Sequence, residues 1–297
     1  MGKCMTKEEL FAPIRECYGE LREALKGSDL DRIRQLTLEV HAMVHPAEIS
    51  GRKEKTIADY VLEYMMDGNR DTLVPREDYD VDLHYAGTRT VPMCWQFWHT
   101  YRIEDLVSNI LMVNQNQIFN SEWQRKIGSP ITDTGNALEL DEAVAFGKAL
   151  NVDALYEYMI TVGKNTRKIL AGLTLEQINS MVPAEWVMRI LEEGGVTTDF
   201  RSVWLLVYWG RLTRGGMILT PMTDHHMMHL PPCINNLPNF RLMDLLLMLS
   251  NILRGRVKKK RRDVFFISAG NSLQRHSSTE RGIRTNSPFS TLCGCDV

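Results

Sequence analysis

Four of the eight histidines fall in two pairs spaced i,i+4, His41/His45 and His225/His229. On a helix, residues four apart project from one face with Cβ atoms about 6 Å apart, so two imidazoles at that spacing can grip one ion. The pairs read His41-Ala42-Met43-Val44-His45 and His225-His226-Met227-Met228-His229. Neither holds the glutamate of an H-E-x-x-H motif, so a zincin-type peptidase is not indicated. A fifth histidine, His99, sits in Met93-Cys94-Trp95-Gln96-Phe97-Trp98-His99-Thr100-Tyr101, a run apolar enough to demand burial. A buried imidazole needs partners for both nitrogens. His99 is therefore either a metal ligand or a core histidine bonded to a carbonyl or carboxylate. His226 points about 100° away from His225 and reads as a supporting or exposed residue. His41 and His45 either reach the metal site or divide into one buried and one capping or solvated imidazole. His84 and His276 fall in a loop and in the tail, and Cys94 lies on a different helical face from His99.

The elements that would position these residues are helices. Glu8–Leu25 sets Leu10, Phe11, Ile14, Cys17, Tyr18 and Leu21 at spacings of three and four. Asp29–Val44 follows with Pro46 as a stop, and Thr56 caps Ile57–Met66. A polar segment, Asn69–Arg89, leads to Pro92–Val113, with Thr90 as cap and Pro92 in the first turn. Ser121, Asp141, Asn151 and Thr174 are further N-caps. Val152–Leu173 is a long helix and Pro183–Glu193 a short one. Ser202–Leu212 leads into Met217–Leu230, stopped by Pro231-Pro232. No stretch alternates with period two for long enough to build a sheet. The fold expected is all-α: a four-helix bundle with long crossovers and extra short helices over 1–233. Trp95, Trp98, Tyr101, Trp204, Tyr208 and Trp209 would wall the site, with Met217, Met222, Met227 and Met228 filling core gaps.

His99-Thr100-Tyr101-Arg102-Ile103-Glu104-Asp105 resembles the second helix of DinB/YfiT-like proteins, and Thr223-Asp224-His225-His226-Met227-Met228-His229-Leu230 resembles their last bundle helix. The likeness spans roughly residues 30–232 and lies in motifs and their order. It implies a DinB-like bundle whose metal ligands are His99, His225 and His229, binding zinc or nickel with open positions for water or a thiol. Glu104 or Asp105 would be the acidic partner of a ligand. The implied chemistry is attack of a low-molecular-weight thiol on an electrophilic small molecule, or hydrolysis by metal-activated water. The alternative is a non-enzymatic binding or stress-response module. A homodimer is compatible with either.

Composition narrows the classes further. The net charge of −2 gives no general reason to expect nucleic-acid or membrane binding, and six scattered cysteines make no disulfide framework. No P-loop, G-x-G-x-x-G after a strand or G-x-S-x-G elbow is present. The start, Met1-Gly2-Lys3-Cys4-Met5-Thr6, fits the loose myristoylation pattern but shows no secretory signal. A cytoplasmic setting is expected. Residues 234–267 form an appended helical segment carrying the basic run Arg254–Arg262, a weak nucleic-acid or lipid contact at most. Residues 268–297 are too polar to offset their chain entropy and are expected to be disordered, leaving Cys293-Gly294-Cys295 without a structural role.

Overall fold

The computed structural model of the chain describes residues 7–76 and 89–234. Helices dominate in the order α1 (Lys7–Ala24), α2 (Leu30–Val44), α3 (Ala47–Ser50) and α4 (Ile57–Tyr64). The strands β1 (Leu73–Arg76) and β2 (Arg89–Pro92) come next, then α5 (Met93–Asp105), α6 (Ser121–Ile127), α7 (Leu140–Ala149) and α8 (Val152–Gly172). The order closes with α9 (Leu175–Asn179), α10 (Ala184–Glu192), α11 (Phe200–Gly210), α12 (Arg214–Leu219) and α13 (His225–Ile234). The fold is all-α. Helix α2 packs on α8, α8 on α5, and α5 on α13. The wide turn Thr220–Asp224, which joins α12 to α13, packs on both α2 and α5 and closes the four-sided arrangement.

The caps follow from side-chain chemistry. Asp29, Asn151 and Thr174 accept from first-turn amides, and Thr56 forms a reciprocal capping box with Asp59. Two expected caps move: Asn120, not Ser121, caps α6, and Glu139, not Asp141, boxes with Glu142 on α7. Both shifts place the acceptor one or two residues earlier, where its backbone is extended.

One segment departs from a purely helical reading. Leu73–Arg76 pairs antiparallel with Arg89–Pro92, a ladder too short to announce itself by alternation. It removes Thr90 from any capping role. Pro92 ends β2 and opens α5 with no side-chain cap; Met93 N donates to Thr72 O at 2.9 Å and Cys94 N to Arg70 O at 3.1 Å instead. The Pro231-Pro232 pair does not stop α13, which continues to Ile234. Proline's fixed φ fits a helix, and each of the two forfeits one backbone donor. Met217 and Met222 are core residues as expected, whereas Met227 and Met228 are only half-buried.

Every residue of α5 is buried. Its aromatic side chains supply much of the core, each large apolar group contributing about 1.5–3 kcal/mol. Its buried charges must be paired to be tolerated. Asp105 meets that condition fully: Oδ1 accepts from Ile118 N and Asn109 Nδ2, both at 2.8 Å. Its Oδ2 accepts from Phe119 N at 2.9 Å, the Tyr158 hydroxyl at 2.7 Å and Arg102 Nη1 at 3.2 Å. The expected tail, the N-terminal acylation pattern, His84 and the basic run lie outside the described residues. Among the described residues no helix is long and apolar enough to cross a membrane.

Candidate metal centre

The structure brings His99, His225 and His229 together. His225 Nε2 lies 3.2 Å from His99 Nε2 and 3.1 Å from His229 Nε2. One ligand atom from each falls within 4.8 Å of the others. The protonation pattern follows from the opposite edges of two rings. His99 Nδ1 is 2.8 Å from the Thr134 carbonyl, which only accepts, so that nitrogen carries the proton. His229 Nδ1 donates likewise to Gln96 Oε1. Both neutral rings therefore turn a bare Nε2 inward, toward the Nε2 of His225. A proton on His225 Nε2 can satisfy only one of the two bare nitrogens at a time, whereas a cation among the three satisfies all of them. Metal–nitrogen bonds of about 2.1 Å give ligand separations of about 3.0 Å for octahedral and about 3.4 Å for tetrahedral coordination. The observed 3.1 and 3.2 Å lie between those values. These histidines could hold a metal ion.

Local structure aims the three rings. The turn Thr220–Asp224 is one residue wider than an α-helical turn, and Thr223 Oγ1 donates back to the carbonyls of Ile218 at 2.8 Å and Leu219 at 2.6 Å. Such turns recur at functional sites because the extra residue reorients the helix that follows. Here that helix begins at His225 itself. On the α5 side, the chain at 132–134 supplies three carbonyls in succession: Thr132 O to Arg102, Asp133 O to Trp98 and Thr134 O to His99. Gly135, at φ +73°, lets this segment approach; a Cβ there would sit 2.7 Å from Trp95 Nε1.

Trp95 stacks on His99 with ring centroids 4.5 Å apart, and the Arg76 guanidinium lies 4.6 Å from the Trp95 ring. Trp98, Tyr101 and Trp209 are core residues, whereas Trp204 and Tyr208 are half-exposed, their ring centroids 6.0 Å apart. Burial holds all three ligands well below the usual histidine range, with neighbouring imidazoles and, for His99 and His229, Arg76 adding to the effect. They are thus neutral and ready to ligate. Cys94 is buried away from them, its thiol pushed up to about 12 by burial.

The acidic partner expected for the triad is placed differently. Asp105 is spent on the network described above, and Glu104 faces another cluster. Its Oε1 lies 3.2 Å from His41 Nε2, and its Oε2 lies 2.7 Å from His45 Nε2 and 2.8 Å from His226 Nε2. His226 is therefore not an exposed neighbour but 4% accessible, and His41, His45 and Glu104 are sealed. The physical reason is the 100° between consecutive helical residues: His225 and His226 face two different clusters on the inner side of α13. Burial alone would raise Glu104, but His45 and the other imidazoles outweigh it and hold the carboxyl well below its usual range. His41, His45 and Glu104 are a second group with ligand spacing. A small cavity lined by Gln96, Thr100, Tyr101, His226 and His229 touches both clusters.

Sequence reasoning missed the roles of Gln96, Arg76, Thr134 and Glu104. Gln96, one helical turn before His99, left a readable signal, and Glu104 was singled out, but for the three-histidine cluster. No protein-family model matches the chain, and no curated protein matches it.

Proposed function

We propose that the chain is a metal-dependent enzyme of DinB/YfiT-like type that activates a low-molecular-weight thiol for attack on an electrophilic small molecule. The observation that carries this reading is the convergence of the His99, His225 and His229 Nε2 atoms, two of them fixed as bare acceptors by bonds to Thr134 and Gln96. Three neutral imidazoles leave coordination positions open, the arrangement of catalytic sites. A divalent ion held there, zinc or nickel by its nitrogen donors, would lower the pKa of a coordinated thiol or water.

The surrounding residues favour a thiol over water. Among the described residues no carboxylate hydrogen-bonds to the three ligands, and Glu104 is committed to His41, His45 and His226, so no base stands ready to deprotonate a water. A thiol ionises more easily and needs less help. Arg76, buried beside Trp95, adds positive potential that favours an anionic sulfur. The sulfur lone pair would form the new S–C bond as the leaving group departs with its own electron pair, the thiol proton passing to solvent.

Elemental analysis and turnover of a thiol with an electrophile, on wild type and His225→Ala, test this. The expected result is bound metal in the wild type, and loss of it with a fall in turnover of more than about 100-fold in the variant. Turnover that persists without metal would overturn the reading. Amide hydrolysis without thiol transfer would make the chain a hydrolase instead, and metal binding with neither activity would make it a binding module.

A further inference from the structure

With all three imidazoles neutral and Glu104 ionised, the cluster around Glu104 sets lone pair against lone pair, so it needs either an extra proton or a cation. His45 Nδ1 lies 2.8 Å from the His41 carbonyl, so it carries the ring proton. A neutral His45 then turns a bare Nε2 toward Glu104 Oε2 only 2.7 Å away, acceptor against acceptor. The same oxygen is 2.8 Å from His226 Nε2, a contact out of hydrogen-bond alignment. His41 and His45 stack face to face with centroids 3.7 Å apart and planes 9° from parallel, which brings both Nε2 atoms to one carboxylate. That stack tolerates at most one positive ring. Among the described residues only histidines pair with Glu104, and the cluster is shut off from solvent. A buried carboxylate needs a compensating positive charge.

We infer that His41, His45, His226 and Glu104 form a second divalent-cation site beside the three-histidine site. The consecutive residues His225 and His226 would then each serve a different ion. Three imidazole nitrogens and a carboxylate oxygen suit zinc, cobalt or nickel rather than magnesium or calcium. A divalent ion held by His41, His45 and Glu104, whose ligand atoms lie within 4.8 Å of one another, would more than offset the carboxylate's charge, and His226 Nε2, 2.8 Å from Oε2, would have to close on it as a fourth donor while the 2.7 and 2.8 Å contacts open toward about 3.0 Å. The competing arrangement is a proton on His45 in place of the ion. A small cavity lined by His226 and His229 touches one residue of each cluster.

The test is the number of ions bound by the full-length protein after chelation and reloading with Zn2+ or Co2+, read by elemental analysis and cobalt absorbance. Two equivalents are expected in the wild type, one in Glu104→Gln and one in His225→Ala. Wild type binding one equivalent that His225→Ala removes would overturn the second site while leaving the triad intact. A second equivalent that survives in folded Glu104→Gln would overturn it too. Where Glu104→Gln loses folded structure by far-UV circular dichroism, His226→Asn reports in its place, with the same expected and overturning counts.

Discussion

Acidification of the metal-free protein should unfold it unusually early. His41 and His226 are pushed down to about 3 and about 4, chiefly by burial, and His99, His225 and His229 also lie well below the usual value. All five therefore stay neutral in the folded chain while the unfolded chain protonates them near pH 6.5. A histidine with a depressed folded pKa contributes stability that is complete above about pH 6.5 and lost as pH falls. Each proton taken up only by the unfolded state removes about 1.4 kcal/mol per pH unit. Five histidines, mostly protonated in the unfolded state at pH 5.5, give a slope of about 6 kcal/mol per unit. A domain stable by about 5–15 kcal/mol would exhaust that within about one to two and a half units below pH 6.5. Urea unfolding at pH 7.5, 6.5 and 5.5, followed by circular dichroism after chelation, measures the slope. Stability unchanged within about 1 kcal/mol between pH 7 and 5.5 would refute the reasoning. With ions bound, the collapse should shift to lower pH and coincide with metal release, because a ligand cannot protonate until its ion leaves.

Gln96→Leu should weaken metal binding about 10- to 100-fold while the fold survives, since it removes the acceptor that orients His229; competition with a chelator of known affinity reads this, and unchanged affinity would remove Gln96 from the site. Asp105→Asn should cost about 3 kcal/mol, because an amide nitrogen at either oxygen faces donors it cannot accept. Arg102 keeps the Thr132 carbonyl and Gln117, which limits the loss. The melting temperature should fall by about 6–12 °C with metal stoichiometry unaltered.

Much of the helical order was legible in the sequence because spacing and capping chemistry are local: Asp29, Thr56, Asn151 and Thr174 cap the helices they precede. The grouping of His99 with His225 and His229 drew on an i,i+4 pair plus one histidine in an apolar helix, aided by a family likeness. What stayed hidden depends on tertiary contact. The choice of Glu104 between the triad and the His41 cluster is made by the rotation of α5 against α2 and α13, a long-range packing outcome. The β1–β2 ladder is four residues per strand, too short for a period to show. Asp105 and Glu104 are neighbours in sequence with equal claim to a histidine, yet one is consumed by the backbone amides of Ile118 and Phe119.

The three carbonyls at 132–134 have a consequence for how freely this site can drift in evolution. Every residue type offers a backbone carbonyl, so the bonds to His99, Trp98 and Arg102 do not themselves require particular side chains at those positions. What those positions do need is the loop's own shape: Asp133 Oδ1 accepts from Gly135 N at 2.7 Å, Thr134 Oγ1 donates to Asn136 Oδ1 at 2.6 Å, Thr132 Oγ1 donates to Gly194 O at 3.0 Å, and Gly135 has a positive φ and a close approach to Trp95 that admit no side chain. The aim of the histidine is thus set by side chains that never touch it.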